Sequence, residues 1–188
     1  MKLAAAVVLA TSAFAADLPY WIEPRPGGDV QLAEWALQAW ERASNGQIHL
    51  VKAPSKDKAL MRVVWVTARD GLYGEARPII VDGQRGAELF VRPEMDGLGP
   101  EIEVAARKDK LLRDAIVYLT CLHESGHGLG LPHTAGFGDI MYSFGYGGDI
   151  AEYFGRYRRK LTAREDIKKL SGMSAADEQR FRKLLEAK

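Results

Sequence analysis

Apolar positions first fall into a helical rhythm. Leu32, Ala36, Leu37, Ala39, Trp40 and Ala43 recur at three- and four-residue steps. They lie between Asp29, a residue suited to capping a helix start, and Asn45-Gly46, a pair suited to ending one. A helix over residues 29–44 follows, with Trp35 on or beside its apolar face. β-type runs come next at Ile48–Lys52, Met61–Thr67, Pro78–Val81 and Ala87–Val91, separated by turn signals such as Arg69-Asp70-Gly71 and Val81-Asp82-Gly83. A second helical rhythm through Leu111, Leu112, Ala115, Ile116, Leu119 and Leu122 predicts a helix from about Lys108 to Leu129. Leu18–Pro26 reads as a short proline-rich opening segment. Thr134–Gly155, rich in glycine and aromatic residues without a period, reads as an ordered loop. Thr162 with Glu165 and Ser174 with Asp177 each place an acid three residues after a hydroxyl, the capping-box pattern, and predict two short closing helices.

Composition narrows this picture little. With 188 residues, a net charge of +1 and no internal repeat, the chain suits a single domain. The charge balance makes no case for nucleic acid or an acidic membrane surface as partner. The basic cluster Arg156-Tyr157-Arg158-Arg159-Lys160 reads as a solvated surface face. The first residues stand apart. Lys2, the apolar run from Leu3 and the small-x-small pattern Ala13-Phe14-Ala15 read as a secretory signal peptide over residues 1–15. Its apolar stretch is too short to span a bilayer. The expectation is a secreted or periplasmic monomer whose domain occupies residues 16–188. Cys121 is the sole cysteine, so no intramolecular disulfide can form. Its apolar neighbours Leu119 and Leu122 favour a buried structural thiol.

The candidate chemistry lies in residues 123–133, HESGHGLGLPH, which hold three of the four histidines. His123 and His127 are four apart on the second helix and therefore share a face. His133 could not join them if the helix continued, because six more residues carry it about 9 Å along the axis and about 240° round it. Gly130 suits a left-handed helix end, and Pro132 cannot propagate the helix. The chain then bends back and brings His133 to the same point. Three neutral imidazoles leave one position of a tetrahedral zinc open for water, the arrangement of catalytic sites. Glu124 sits about 100° round the helix from His123. It is the candidate general base, taking a proton from the water and passing it to a leaving amine. Cys121, about 200° away, is no ligand.

This stretch is the motif H-E-x-x-H-x-x-G-x-x-H of the metzincin zinc proteases. Met141, in Asp139-Ile140-Met141-Tyr142, matches the family's methionine turn, in which the methionine floors the metal site without binding it. Within the metzincins the chain most resembles the matrixins, through Gly126, Leu129-Gly130-Leu131 and Thr134. Leu161-Thr162-Ala163-Arg164-Glu165-Asp166-Ile167 is similar to the segment that opens the matrixin C-terminal helix. The resemblance covers most of residues 20–172. It implies an α+β catalytic domain: a twisted mixed sheet packed with an N-terminal helix and an active-site helix, and a small, mostly irregular and helical C-terminal subdomain. It further implies a secreted endopeptidase whose protein or peptide substrate pairs with an edge strand, for which Ala87, Glu88, Leu89, Phe90 and Val91 are the candidates. Tyr142 and the residues after it would wall the main specificity pocket, although the family's usual proline is absent there. No propeptide cysteine switch is present, so activity is either unregulated or controlled by a separate inhibitor. One zinc is expected. His49 lacks the partners for the family's structural zinc site and reads as a surface or packing residue. Calcium through Asp70, Asp82 or Glu88 has no ligand-loop spacing in its support. Two other functions share the motif: a secreted zinc-binding protein without turnover, against which the intact Glu124 counts, and a processing peptidase of narrow specificity.

Overall fold

The computed structural model of the protein describes residues 15–67 and 73–187. The chain runs through strand β1 (Ala16–Ile22), helix α1 (Asp29–Ala43), and strands β2 (Ile48–Lys52), β3 (Met61–Trp65), β4 (Gly74–Val81) and β5 (Gln84–Val91). Helices α2 (Pro100–Lys108), α3 (Lys110–Leu129), α4 (Ile150–Arg158), α5 (Asp166–Lys169) and α6 (Ala175–Glu186) follow. The strands form one sheet in the order β2-β1-β3-β5-β4, parallel except for β4, which runs antiparallel to β5. The protein is thus α+β with a mixed sheet. Residues 1–14, most of the expected signal peptide, lie outside the described residues, as does the Arg69-Asp70-Gly71 turn.

The core forms where α1 and α3 pack on each other and on the strands, α1 touching β1 and β2, α3 touching β4 and β5. Trp40 anchors that layer. It is buried, its ring meets Phe181 of α6 edge-on at 4.9 Å, and its indole N–H donates to the Leu122 carbonyl and the Ser125 hydroxyl at 3.0 Å each. A buried indole needs such an acceptor. β4 and β5 make a hairpin whose turn places Asp82 (φ 49°) and Gly83 (φ 79°) in the left-handed region, the pair a two-residue turn between twisted strands demands.

Several expectations are corrected. Leu18–Pro26, read as a proline-rich opening segment, begins within a strand, for β1 lies between β2 and β3 and the Pro19 carbonyl accepts the Leu60 N–H at 2.8 Å. α2 escapes the periodicity because only Ile102 and Ala106 are buried, a stripe too thin to register. α4 emerges from the segment read as loop. The Asp149 carboxylate caps it at the Glu152 N–H, and Tyr153, Phe154 and Tyr157 form its buried face. The basic cluster is not simply solvated: Arg156 bonds the Phe137 carbonyl, Arg158 pairs with Asp109 and Arg159 with Glu152. The Leu161–Ile167 segment opens only the four-residue α5. The long terminal helix α6 begins instead at Ser174, whose capping box with Asp177 forms in both directions. No helix among the described residues is long and apolar enough to cross a membrane.

Candidate metal centre

α3 carries the first two histidines, and its ending places the third. Gly130 takes the left-handed conformation (φ 109°), its N–H donating to the His127 carbonyl and the Leu131 N–H to the Gly126 carbonyl. These bonds close the helix in the Schellman manner. The turn also presents the Leu131 carbonyl to His127, whose Nδ1 donates to it at 2.8 Å. Beyond Pro132, Thr134 zips onto the methionine turn: its N–H donates to the Met141 carbonyl at 2.8 Å, and its carbonyl accepts the Ser143 N–H at 3.1 Å. His133 is thereby held facing α3.

The imidazole geometry fits a metal. His123 Nδ1 donates to the Ile140 carbonyl at 2.6 Å. With Nδ1 protonated on His123 and His127, each Nε2 exposes a lone pair. These nitrogens lie 3.2 Å and 3.1 Å from His133 Nε2, and the three potential ligand atoms all fall within 4.8 Å of one another. Tetrahedral zinc with Zn–N bonds of about 2.0–2.1 Å sets its ligand nitrogens about 3.3–3.4 Å apart. With its proton on Nδ1, His133 turns a third lone pair to the same point, and a cation among the three offsets their repulsion, so the donor set suits zinc. Burial pushes His123 down to about 4, against the opposing pull of the Ile140 carbonyl, and burial followed by the charge of His127 lowers His133. Both are neutral, as ligands must be, near neutral pH.

Glu124 lies beside this point, only 6% exposed. Burial, reinforced by the charge of Glu75, pushes its carboxyl up to about 8. The start of β4 passes close beside it: a Cβ on Gly74 would stand 2.4 Å from Glu124 Oε1 and 3.0 Å from Thr120 Cγ2. Only glycine lets the strand pass so near. Gly126 has the same meaning beneath the histidines, since a Cβ there would fall 2.4 Å from the sulfur of the fully buried Met141 and 3.0 Å from Trp40.

A cavity of about 200 Å³ opens between His123, His133 and Glu124. Leu119, Tyr142, Phe144, Ile150, Tyr153 and Phe154 make it chiefly apolar. On the His127 side a second cavity of about 580 Å³ runs between the β4–β5 hairpin and the end of α3. Of the residues expected to bind substrate, Tyr142 lines the first cavity. Ala87–Val91 does not form an edge. β5 is paired on both sides, Ala87, Leu89 and Val91 are buried in the core, Glu88 holds Lys56, and Phe90 carries the Arg77 guanidinium. The hairpin continues outward, so the free edge on this side of the sheet belongs to β4. Among the described residues the three histidines are the converging group of potential ligands. His49 pairs with Asp17 at 3.0 Å on the neighbouring strand. Asp82 and Glu88 are held by Lys58 and Lys56, and Asp70 lies outside the described residues. Cys121 is a buried free thiol, and burial raises its pKa and so keeps it protonated.

Sequence reasoning missed the residues that hold the methionine turn. The fully buried Asp177 accepts the Ile140 N–H at 2.8 Å, and the Tyr153 hydroxyl donates to the Asp139 carbonyl at 3.0 Å. The Ser174–Asp177 capping box was legible, but its contact with the turn was not. No protein-family model matches the chain, and no curated protein does. Among solved structures, the chain is similar to archaemetzincin from Methanopyrus kandleri, with 14% identity and a TM-score of 0.46 over 95% of this chain and 99% of that one.

Proposed function

We propose that the protein is a zinc-dependent endopeptidase of the metzincin class, of matrixin type. The observation that carries this reading is the convergence of His123, His127 and His133 beside Glu124 at the mouth of an apolar cavity. Zinc held by the three imidazoles supplies a Lewis acid that makes water nucleophilic and polarises a carbonyl. The chain's own groups do the rest. An extended peptide pairs with the free edge of β4 and crosses the site from the larger cavity to the smaller. An apolar side chain next to the scissile bond enters the aromatic cavity and fixes the carbonyl in place. Glu124 accepts the proton of the attacking water and delivers it to the leaving amine. We further read residues 1–15 as an export signal, so that the peptidase acts outside the cytoplasm on protein or peptide substrates.

The test is digestion of a mixture of denatured proteins by wild type and Glu124→Gln, with zinc measured in both. New peptide termini from wild type alone, and equal zinc in the two samples, are expected. Equal cleavage by the variant would remove Glu124 from the chemistry. A folded, zinc-loaded wild type that cuts nothing would favour the narrow processing enzyme or the binding protein.

A further inference from the structure

α4 reaches the backbone that orients His123 through the hydroxyl of Tyr153. Tyr153 is buried, and its ring is held by Phe154 at 5.3 Å, Phe144 at 5.1 Å and Tyr142 at 6.0 Å, with the Arg156 guanidinium 4.3 Å above it. So confined, the ring dictates where its hydroxyl points. That hydroxyl donates to the Asp139 carbonyl at 3.0 Å and lies 3.3 Å from the Ile140 carbonyl. The turn's own closing bond, from the Tyr142 N–H to the Asp139 carbonyl, is long at 3.4 Å. The phenol is therefore the better partner of this carbonyl. The second carbonyl it approaches is the acceptor for His123 Nδ1, at 2.6 Å.

We propose that Tyr153 is a positioning residue for the metal site: its hydroxyl pins the adjoining Asp139 and Ile140 carbonyls, the second of which orients His123, while its ring walls the substrate cavity. The proposal rests on the zinc reading above. Groups bonded to a ligand histidine set its ring orientation and basicity, and their loss typically weakens metal binding ten- to hundredfold. Tyr153 acts one bond further out, through a carbonyl that keeps the His123 N–H. The effect should accordingly be smaller, about five- to tenfold. The arrangement also means that one side chain belongs both to the surface a substrate touches and to the scaffold of a ligand.

The test compares wild type, Tyr153→Phe and Ile150→Ala by chelator competition for zinc, with unfolding curves used to confirm that each variant is folded under the assay conditions. Tyr153→Phe keeps the ring and removes only the hydroxyl. Its zinc dissociation constant should rise about five- to tenfold while cleavage-site preference stays as in wild type. Ile150→Ala reshapes the cavity while leaving the rings that hold Tyr153 in place, so preference should change and zinc affinity should stay within about twofold. A folded Tyr153→Phe that binds zinc within twofold of a zinc-binding wild type overturns the proposal alone. A folded wild type that binds no zinc overturns the reading on which it rests.

Discussion

Replacing Asp177 with asparagine changes one atom at the point where α6 fastens the methionine turn. The carboxylate is fully buried. Oδ2 accepts the Ile140 N–H and the Ser174 N–H, both at 2.8 Å, and Oδ1 accepts Arg180 Nη2 at 2.8 Å. An asparagine has one oxygen for these three donors. With its amide nitrogen in the Oδ2 place, two backbone N–H groups face a donor; flipped, the amide faces the guanidinium. Either orientation forfeits at least one charge-assisted bond and sets donors against each other. Hydrogen bonds to charged groups contribute about 1.5–3 kcal/mol, and a stranded buried donor costs about 1–3 more. Arg180 is a third exposed and keeps its bond to Asp139, which limits the loss. The expected destabilisation is about 3 kcal/mol, which lowers the melting temperature by about 6–12 °C for a domain of this size. Calorimetry on the metal-free protein measures this directly. Ser174→Ala, which removes the other half of the capping box, should cost less, about 1–2 kcal/mol. An Asp177→Asn variant within 1 kcal/mol of wild type would refute the idea that this carboxylate ties the terminal helix to the turn.

Three further outcomes follow from the site. Gly74→Ala should reduce kcat by more than about tenfold with zinc content unchanged, because the new methyl displaces the Glu124 carboxylate; wild-type turnover would mean the strand moves aside freely. Gly126→Ala should destabilise the fold by about 1–3 kcal/mol through its clash with Met141 and Trp40, which a urea unfolding curve will show or deny. Stripped of metal, His123 alone should cost the fold about 3 kcal/mol as the pH falls from 6.5 to 4. Glu124, whose raised carboxyl takes up its proton earlier in the fold, acts in the opposite sense, so the loss is read as the difference between wild type and His123→Gln. The folded state holds His123 neutral down to about 4 and the unfolded chain does not, so the stability is present above that window and is lost on acidification. His123→Gln should flatten this loss, and an unchanged slope would contradict the assignment.

How much of this was legible in the sequence follows from the range of each interaction. α1 and α3 were readable because amphipathic spacing is a property of neighbouring residues. So was the bend that returns His133, since Gly130 and Pro132 act on their own turn. The Asp82-Gly83 hairpin was readable for the same reason. α4 was within reach, as Asp149 and the buried spacing of Tyr153, Phe154 and Tyr157 are local too, but the glycines before it hid the period. The edge strand was not legible: whether β4 or β5 lies outside depends on which of them pairs with β3, and both sequences tolerate a paired position. Nor could the sequence place Gly74 against Glu124, Tyr153 on the Asp139 carbonyl, or Asp177 under Ile140, 37 residues away. The sequence by itself determined the donor set and the turn that gathers it, because those depend on torsions within one helix and its end. The tertiary structure alone decided what orients the donors and which strand faces the groove. Those contacts join segments that meet only once the core has closed.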